Sequence, residues 1–242
     1  ELPGAAERLE RATLAGASLV LAVSEPLAAY ASARGAQRVE VLPNGVALER
    51  FPAPAPLPRG AVPHAVFCGS LRAWHGVDVI AEAWRMLGAA APPLLVVGDG
   101  PGRPLLAGAG AELTGALPHE LVPLALARAE IGLAPYAADA PDYFSPLKLF
   151  EYLAAGLAVV AADLPGVTAV IDTDSALLVK PGDARGLAVA VGRLAARDDL
   201  RRELGQAGRR LAARHSWRER ARRILAAVDE LAAAPVHAGA GA

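Results

Sequence analysis

The chain has 242 residues, of which 54% are hydrophobic, and a formal net charge of -1. Such a chain can bury a sizeable core, and its near-zero charge gives no general attraction to nucleic acid. Cys68 is the single cysteine, which excludes an internal disulfide and predicts a buried thiol in a reducing compartment, so we expect a cytoplasmic location. The sequence has no apolar run long enough to span a bilayer, and membrane contact is expected to be at most peripheral, at the inner face.

Residues 1–45 alternate between helical and strand patterns. Helices are predicted at 5–16 and 25–34, and strands at 18–24 and 38–42. The start lacks a Met and has neither the basic beginning nor the apolar centre of a signal peptide. We therefore expect this part to be the closing segment of a truncated N-terminal domain.

A proline-rich stretch at 51–58 marks the next boundary. Such a stretch is stiff and extended, so 46–61 is predicted to be an inter-domain linker. Residues 62–215 are then expected to form a second domain. Residues 216–242 are expected to form a C-terminal helix and a flexible tail, with 238–242 disordered.

Short apolar strands alternate with helices through the second domain. The predicted strands are 64–68, 94–97, 112–114, 131–134, 157–161 and 176–179. The predicted helices between and after them are 76–87, a short one near 103, 119–129, 145–155, 165–171 and those that run to about 234. Strands that are apolar on both faces are typical of a parallel sheet covered on both sides. The predicted fold is α/β: a Rossmann-like parallel sheet of about six strands with helices on both faces.

The loops that follow the strands define the expected ligand crevice. In an open parallel sheet, ligands bind beyond the carboxyl ends of the strands. Each of these loops contains Gly or Pro, and they are 69–75, 98–102, 115–118, 135–144 and 162–167. We expect them to face one crevice.

The helix opening at Ser145 carries the strongest chemical signal. Ser145 suits the N-cap, Pro146 suits the first helical position and Gly156 suits the C-terminal stop. Lys148 falls in the first turn, where the helix dipole disfavours a cation. The chain's lysines are only Lys148 and Lys180. A cation placed against the dipole, beside free amides, predicts a phosphate site.

Two glycine-rich loops flank this helix start in the predicted sheet. In the first, Gly69 permits close backbone approach, and Arg72 and His75 can supply positive charge opposite Lys148; the alternative is an ordinary loop with a solvated arginine. The loop 98–102 matches a dinucleotide fingerprint only in part, because Arg103 stands at the third glycine position. A tight turn is its alternative interpretation.

Other polar residues have competing interpretations. Glu151 can accept hydrogen bonds from ribose hydroxyls or pair with Lys148 one helical turn away. Asp172 and Asp174 could hold a divalent ion, but a cap or turn is favoured. The arginines of 201–223 suit solvated helix faces better than contact with anionic lipid. The histidines show no metal-ligand spacing, and no metal site is expected.

Taken together, the motifs resemble the C-terminal half of a family-4 glycosyltransferase with the GT-B fold. The resemblance covers the chain to about residue 230, and its pieces stand in the family's order. They are Ala22–Glu25, Val41–Val46 with Arg50–Phe51, Val66–Ser70 with Trp74–Val77, Leu95–Pro101, Gly115–Glu120, Ser145–Gly156 and Gly182–Asp183.

The resemblance implies that this half binds a nucleotide-sugar donor without a metal ion or other cofactor. It implies that Lys148 and the first amides of its helix contact the diphosphate, that Glu151 holds the ribose, and that the 98–101 and 116–118 loops line the base. Lys148 and Arg72 are the expected catalytic residues. The expected donor-binding residues are Gly69, Ser70, His75, Gly98, Asp99, Leu117, Ser145, Leu147 and Glu151.

Some positions depart from the family pattern. Tyr143 stands where the family has the first glutamate of its pair, which puts sugar recognition in question. Ser70 and His75 occupy the places of a basic Arg and Lys pair, with Arg72 nearby. We expect Arg72, His75 and Lys148 together to keep the charge balance for the diphosphate.

The function that the resemblance implies is retaining transfer of a hexose from a nucleoside-diphosphate sugar to an acceptor hydroxyl. The acceptor is expected to be a lipid-linked glycan, a polysaccharide or a small metabolite, in carbohydrate or cell-envelope glycan biosynthesis. Activity is expected to require the missing N-terminal domain as a partner. The alternatives are a nucleotide-sugar-binding module without turnover of its own and a sugar-nucleotide epimerase.

Overall fold

The computed structural model describes residues 2–52, 54, 57–58, 60–141 and 143–233. Its first elements are α1 (Leu2–Gly16), β1 (Val20–Ala22), α2 (Glu25–Ser32) and β2 (Val39–Val41). The two strands pair in parallel as a two-stranded sheet. Both strands are shorter than predicted because only the residues that pair with each other keep regular strand geometry. The tail 238–242 lies outside the described residues.

The segment after β2 packs against the C-terminal helices. Val46 and Phe51 are buried, and Val46 exchanges backbone hydrogen bonds with His215 and Trp217 at 2.9 and 3.1 Å. The Arg209 guanidinium donates to the carbonyls of Phe51 and Pro52, both at 3.1 Å. Part of the proline-rich stretch lies outside the described residues, so the linker at 46–61 stays a prediction.

A six-stranded parallel sheet forms the centre of the molecule. Its strands are β3 (Ala65–Cys68), β4 (Leu94–Val97), β5 (Glu112–Gly115), β6 (Ile131–Ala134), β7 (Ala158–Ala162) and β8 (Ala176–Val179). They lie in the order β5-β4-β3-β6-β7-β8, and every pairing is parallel. The α/β, Rossmann-like prediction is therefore confirmed. The strand order reverses direction between β3 and β6, the point at which open sheets of this kind bind ligands.

Helices cover both faces of this sheet. They are α3 (Val77–Leu87), α4 (Arg103–Gly108), α5 (Val122–Leu126), α6 (Leu147–Ala155), α7 (Pro165–Thr168), α8 (Ala184–Ala196), α9 (Asp198–Arg214) and α10 (Trp217–Ala233). The predicted helix at 119–129 is instead a 3₁₀ turn followed by α5. Pro123 explains the break, because proline has no N–H to continue a helical ladder and is tolerated only in a first turn.

Alternating strand residues build a core on each face of the sheet. Val66, Leu95 and Val159 pack with α5 and α6, whereas Phe67 and Val96 pack with α3 and α8. Burying a side chain of this size contributes about 1.5–3 kcal/mol, so the two cores hold the strand ends in place. Within the described residues, no helix combines the length and apolarity needed to cross a membrane.

Candidate donor-binding site

The crevice begins where β3 and β6 separate. These strands pair only through Ala65 and Val66 of β3. Beyond that point the Tyr152 hydroxyl lies between them: it accepts from the Cys68 N–H at 2.7 Å and donates to the Leu133 carbonyl at 3.2 Å. If β3 and β6 paired along their whole length, these two backbone groups would bond to the neighbouring strand. Here the buried Tyr152 hydroxyl bonds to both of them and holds the ends of β3 and β6 apart.

Lys148 reaches this opening from the first turn of α6. Its side chain is buried, with 8% of the residue exposed. The Nζ atom lies 4.2 Å from the centre of the Phe67 ring and 5.3 Å from that of Tyr136. Among the described residues it has no hydrogen-bond partner. A buried ammonium is costly unless it is paired, so the arrangement favours an anionic ligand.

The surroundings of Lys148 lower its affinity for a proton. Burial lowers the pKa of the Lys148 ammonium to about 7, and the smaller influences of Cys68 and Glu151 oppose this shift. Burial also raises the pKa of the Cys68 thiol to about 12, which agrees with the predicted buried thiol. A negative ligand beside Lys148 would favour the charged ammonium and raise its pKa again.

Glu151 does not pair with Lys148. Its Oε1 atom instead accepts from the His119 Nε2 at 2.9 Å. The Arg50 guanidinium contacts the other ring nitrogen of His119 at 3.3 Å and donates to the His119 carbonyl at 3.2 Å. The alternative of an ion pair within α6 is therefore wrong, and Glu151 joins α6 to the loop that follows β5.

His75 is placed opposite Lys148 as a neutral group. Its Nδ1 donates to the Ser70 carbonyl at 2.5 Å, which leaves Nε2 as an acceptor. Burial, followed by the nearby Lys148 ammonium, lowers the pKa of His75 to about 4. The prediction that His75 supplies positive charge is therefore wrong at neutral pH. The ring contributes shape and a hydrogen-bond acceptor, and Lys148 and Arg72 carry the charge on this side.

The two glycine loops pack on each other. The Gly69 N–H donates to the Val97 carbonyl at 2.9 Å, and the Gly98 N–H donates to the Gly115 carbonyl at 2.9 Å. Gly98 has φ +138°, and a Cβ there would collide with the Gly69 carbonyl oxygen. These glycines are required for the close packing of the two loops.

Gly69 also makes room for the lysine. A Cβ on Gly69, whose φ is +144°, would lie 3.1 Å from the Lys148 Nζ. The sequence predicted that Gly69 allows a close approach to its backbone. In the structure, the group that makes this approach is the Lys148 side chain. A side chain at this position would shift the ammonium by a few tenths of an ångström and would strain the backbone at this positive φ.

The start of α6 differs from its predicted form. The helix begins at Leu147, and its N-cap position is held by Pro146 with no side-chain cap. The prediction that Ser145 caps the helix is wrong, because its Oγ accepts from the Asn44 N–H at 3.1 Å. The amides of Leu147 and Lys148 have no hydrogen-bond acceptor in the described part of the chain. Gly156 ends the helix at φ +74°, as predicted.

The remaining predicted residues lie at the edges of the crevice. Arg72, Ser70 and Asp99 are exposed in their loops, and the Leu147 side chain is 56% exposed beside the helix start. Leu117 is half-buried and packs against the core. Tyr143, in the place of the family's first glutamate, is exposed, and its carbonyl accepts from the Ser24 hydroxyl at 2.7 Å.

An aromatic wall at the crevice was not predicted. Trp74 stacks on Tyr136 with ring centres 6.1 Å apart, and Tyr136 contacts Phe144 at 4.9 Å. Tyr136 has φ 45°, an uncommon conformation for a non-glycine residue. Its carbonyl accepts from the Gly182 N–H at 3.0 Å, which helps to hold that conformation. A tyrosine directly after an apolar strand and a proline was the only sequence signal.

Asp172 and Asp174 form a turn, as favoured from the sequence. The Asp172 Oδ1 accepts from the Ser175 hydroxyl at 2.8 Å and from the Asp174 N–H at 3.2 Å. No group of three or more potential metal ligands occurs among the residues that the structure describes.

Comparisons with known proteins converge on one family. Residues 62–197 match the family model described as "Glycosyl transferases group 1". The chain is 31% identical over 202 residues to a putative teichuronic acid biosynthesis glycosyltransferase, TuaC, of Bacillus subtilis (strain 168). That match covers 78% of this chain and 50% of the relative, so the chain spans about half the length of the curated protein.

Solved structures share the fold. A sucrose-phosphate synthase from Thermosynechococcus elongatus matches with a TM-score of 0.76 and 24% identity, over 95% of this chain and 62% of that one. Anabaena Alr3699/HepE, solved in complex with UDP and glucose, matches with a TM-score of 0.75 and 17% identity, over 92% of this chain and 67% of that one.

Proposed function

Because the chain belongs to the group 1 glycosyl transferases, we propose that it binds the nucleoside-diphosphate-sugar donor of a retaining hexosyltransferase. The observation that carries the proposal is the buried Lys148 ammonium, which has no partner among the described residues and lies where β3 and β6 separate. A diphosphate is the anion that such a donor brings to this point. HepE, which shares the fold, is solved with UDP, and this supports the same ligand class.

In this proposal the diphosphate lies at the start of α6. The free amides of Leu147 and Lys148 and the positive end of the helix dipole face it, and the Lys148 Nζ supplies a full charge. Arg72, exposed in the opposite loop, can reach the same anion from the solvent side. His75, neutral at pH 7, offers Nε2 as an acceptor for a hydroxyl.

The chemical step uses the same groups. The bond from the anomeric carbon to the β-phosphate oxygen breaks, and its electron pair leaves with the diphosphate. The acceptor oxygen bonds to the anomeric carbon, and its proton passes to an oxygen of the departing diphosphate. Lys148, Arg72 and the helix amides would stabilise the negative charge that develops on the leaving group, which is commonly the largest contribution to catalysis.

Glu151 is proposed to hold the ribose. Its carboxylate is only 16% exposed and is oriented by His119, which Arg50 contacts in turn. One carboxylate oxygen accepts from His119, and the other remains to accept from a ribose hydroxyl. Gly98, Asp99 and Leu117 then lie on the loops proposed to line the base.

The wider role is proposed from the relatives. The TuaC name points to glycan biosynthesis for the cell envelope, which supports an acceptor of lipid-linked or polysaccharide type. We further propose that transfer needs no metal ion or other cofactor, that it occurs in the cytoplasm at the inner membrane face, and that acceptor binding requires an N-terminal domain. Tyr143, which stands in place of the family's first glutamate, has no carboxylate with which to bind the sugar.

Calorimetric titration with UDP, GDP and ADP tests the proposal. Replacing Lys148 by Ala removes a buried charge-assisted contact, so we expect affinity for the preferred diphosphate to fall by more than about tenfold. Lys180→Ala is the matched control, because Lys180 is the chain's other lysine and is exposed. Its affinity should stay within about twofold of that of the unaltered chain.

Equal affinity in the Lys148→Ala variant, with the fold intact by circular dichroism, would remove the diphosphate role. A donor-hydrolysis assay then separates turnover from binding. Release of free sugar by this chain assigns it catalysis, whereas binding without release assigns it donor binding alone. Formation of an isomerised donor without an acceptor would favour the epimerase instead.

A further inference from the structure

A second cavity lies beside the donor crevice, on the other side of Phe144. Phe144 contacts Tyr136 in the crevice wall and also lines this cavity, whose volume is about 470 Å³. The walls come from the ends of β1 and β2, the start of α2, the segment before α6, α7 with the residues after it, and the junction of α9 and α10. None of its cations belongs to the proposed donor site.

Arg220 is the main cation of this cavity. It is 3% exposed, and its Nε and Nη1 atoms have no hydrogen-bond partner among the described residues. Only Nη2 is engaged: it donates to the Arg214 carbonyl at 3.1 Å and to the His215 Nδ1 at 2.7 Å. A guanidinium stays charged at any ordinary pH, so its free donors call for an acceptor of opposite charge.

Further positive charge surrounds Arg220. Arg214 and Arg223 line the same cavity and are exposed at its rim. His215 accepts from Arg220, and burial, followed by the charges of Arg220, Arg214 and Arg223, lowers its pKa to about 4, so it is neutral. Glu25 also lines the cavity and carries its carboxylate. Within the described residues, no ion pair joins Glu25 to Arg214, Arg220 or Arg223.

The beginning of α2 adds to the positive electrostatic potential in this cavity. Ser24, Glu25 and Pro26 line the cavity, so the positive end of this helix opens onto it. The Ser24 hydroxyl donates to the Tyr143 carbonyl and does not cap the helix. The start of α2 and the guanidinium groups therefore line one cavity.

We infer that this cavity is a binding site for a phosphate-class anion, separate from the donor diphosphate site. Phosphate matches the chemistry because its several acceptor oxygens can satisfy Arg220 and the rim arginines together, and arginine is the side chain best suited to that geometry. The anion can come as free phosphate or as the phosphate group of a larger molecule, since Arg214 and Arg223 leave the rim open to solvent.

The test uses the 242-residue chain carrying Lys148→Ala, so that the donor site does not contribute to phosphate binding. Inorganic phosphate and glycerol phosphate are titrated by calorimetry at constant ionic strength. We expect saturable binding that weakens by about tenfold or more when Arg214→Gln and Arg223→Gln are added. Both residues are exposed, so these changes should leave the fold intact.

Arg218→Gln is the matched control. Arg218 is exposed on α10, the helix that carries Arg223, but it does not line the cavity. This control removes one positive charge where the test variant removes two, and it should change affinity by less than about twofold. Tighter binding of glycerol phosphate would identify the phosphate of a larger molecule as the ligand, and tighter binding of inorganic phosphate would identify the free ion. Saturable binding of neither probe, or equal weakening by Arg218→Gln, would overturn the inference.

Discussion

At the scale of single residues, Lys148 combines burial, a pKa lowered to about 7 and the absence of a hydrogen-bond partner among the described residues. Its placement in the first turn of a helix was predictable, because the helix dipole makes a cation there anomalous. The neutrality of His75 was not predictable. It depends on burial under Trp74 and on the nearby Lys148, and both come from tertiary packing.

The lowered pKa of Lys148 predicts proton uptake on donor binding. With a pKa of about 7, the amine is mostly neutral at pH 8, whereas a bound diphosphate favours the ammonium. Calorimetry in buffers of different ionisation enthalpy should therefore show uptake of about one proton at pH 8 and little at pH 6, where the amine is already charged. Affinity should fall as pH rises through about 7, the pKa of Lys148 in the free protein.

The control for this experiment is Lys148→Ala, which should lose the difference in uptake between pH 8 and pH 6. The phosphate of the ligand also titrates near pH 6 and contributes to the measured uptake. The uptake due to Lys148 is therefore the difference between the unaltered chain and the Lys148→Ala variant. The same uptake in both proteins would mean that another group takes the proton.

At the scale of elements, the opening between β3 and β6 depends on Tyr152. Its hydroxyl joins the Cys68 N–H to the Leu133 carbonyl, and its ring lies against Gly132, where a Cβ would come within 2.8 Å of it. The sequence predicted the strands and the helix, but not this bridge. A tyrosine on an apolar helix face looks like any other core residue until the strand order is known.

Tyr152→Phe keeps the ring and removes the hydroxyl. It leaves the buried Cys68 N–H without an acceptor, so we expect the free energy of unfolding to fall by about 1–3 kcal/mol. Urea unfolding followed by circular dichroism measures this. Nucleoside-diphosphate affinity should also fall, because the strand ends next to Gly69 lose their spacing. Unchanged stability would mean that the strands close and pair with each other without the bridge.

At the scale of the whole molecule, the N-terminal elements contact the central sheet domain at the site itself. Asn44 donates two hydrogen bonds to Ser145, 101 residues away, and the Ser24 hydroxyl donates to the Tyr143 carbonyl. The alternation of strands and helices predicted a parallel sheet. Local patterns, however, carry no information about such distant partners, and for this reason Ser145 was assigned to a helix cap.

Ser145→Ala separates the two interpretations of that residue. If its hydroxyl serves only the contact with Asn44, the variant should lose about 1 kcal/mol of stability and keep its diphosphate affinity within about twofold. Thermal unfolding and calorimetry measure the two effects. A loss of affinity of tenfold or more with little change in stability would restore Ser145 as a donor-binding residue.

The burial of the single cysteine has a practical consequence for labelling chemistry. Cys68 is 9% exposed, and its pKa of about 12 leaves almost no thiolate at neutral pH, so maleimide reagents should hardly react with it. A cysteine introduced at an exposed position such as Leu147 would then be the one reactive thiol. A fluorophore attached there would stand at the start of α6 and report donor binding without any need to replace Cys68.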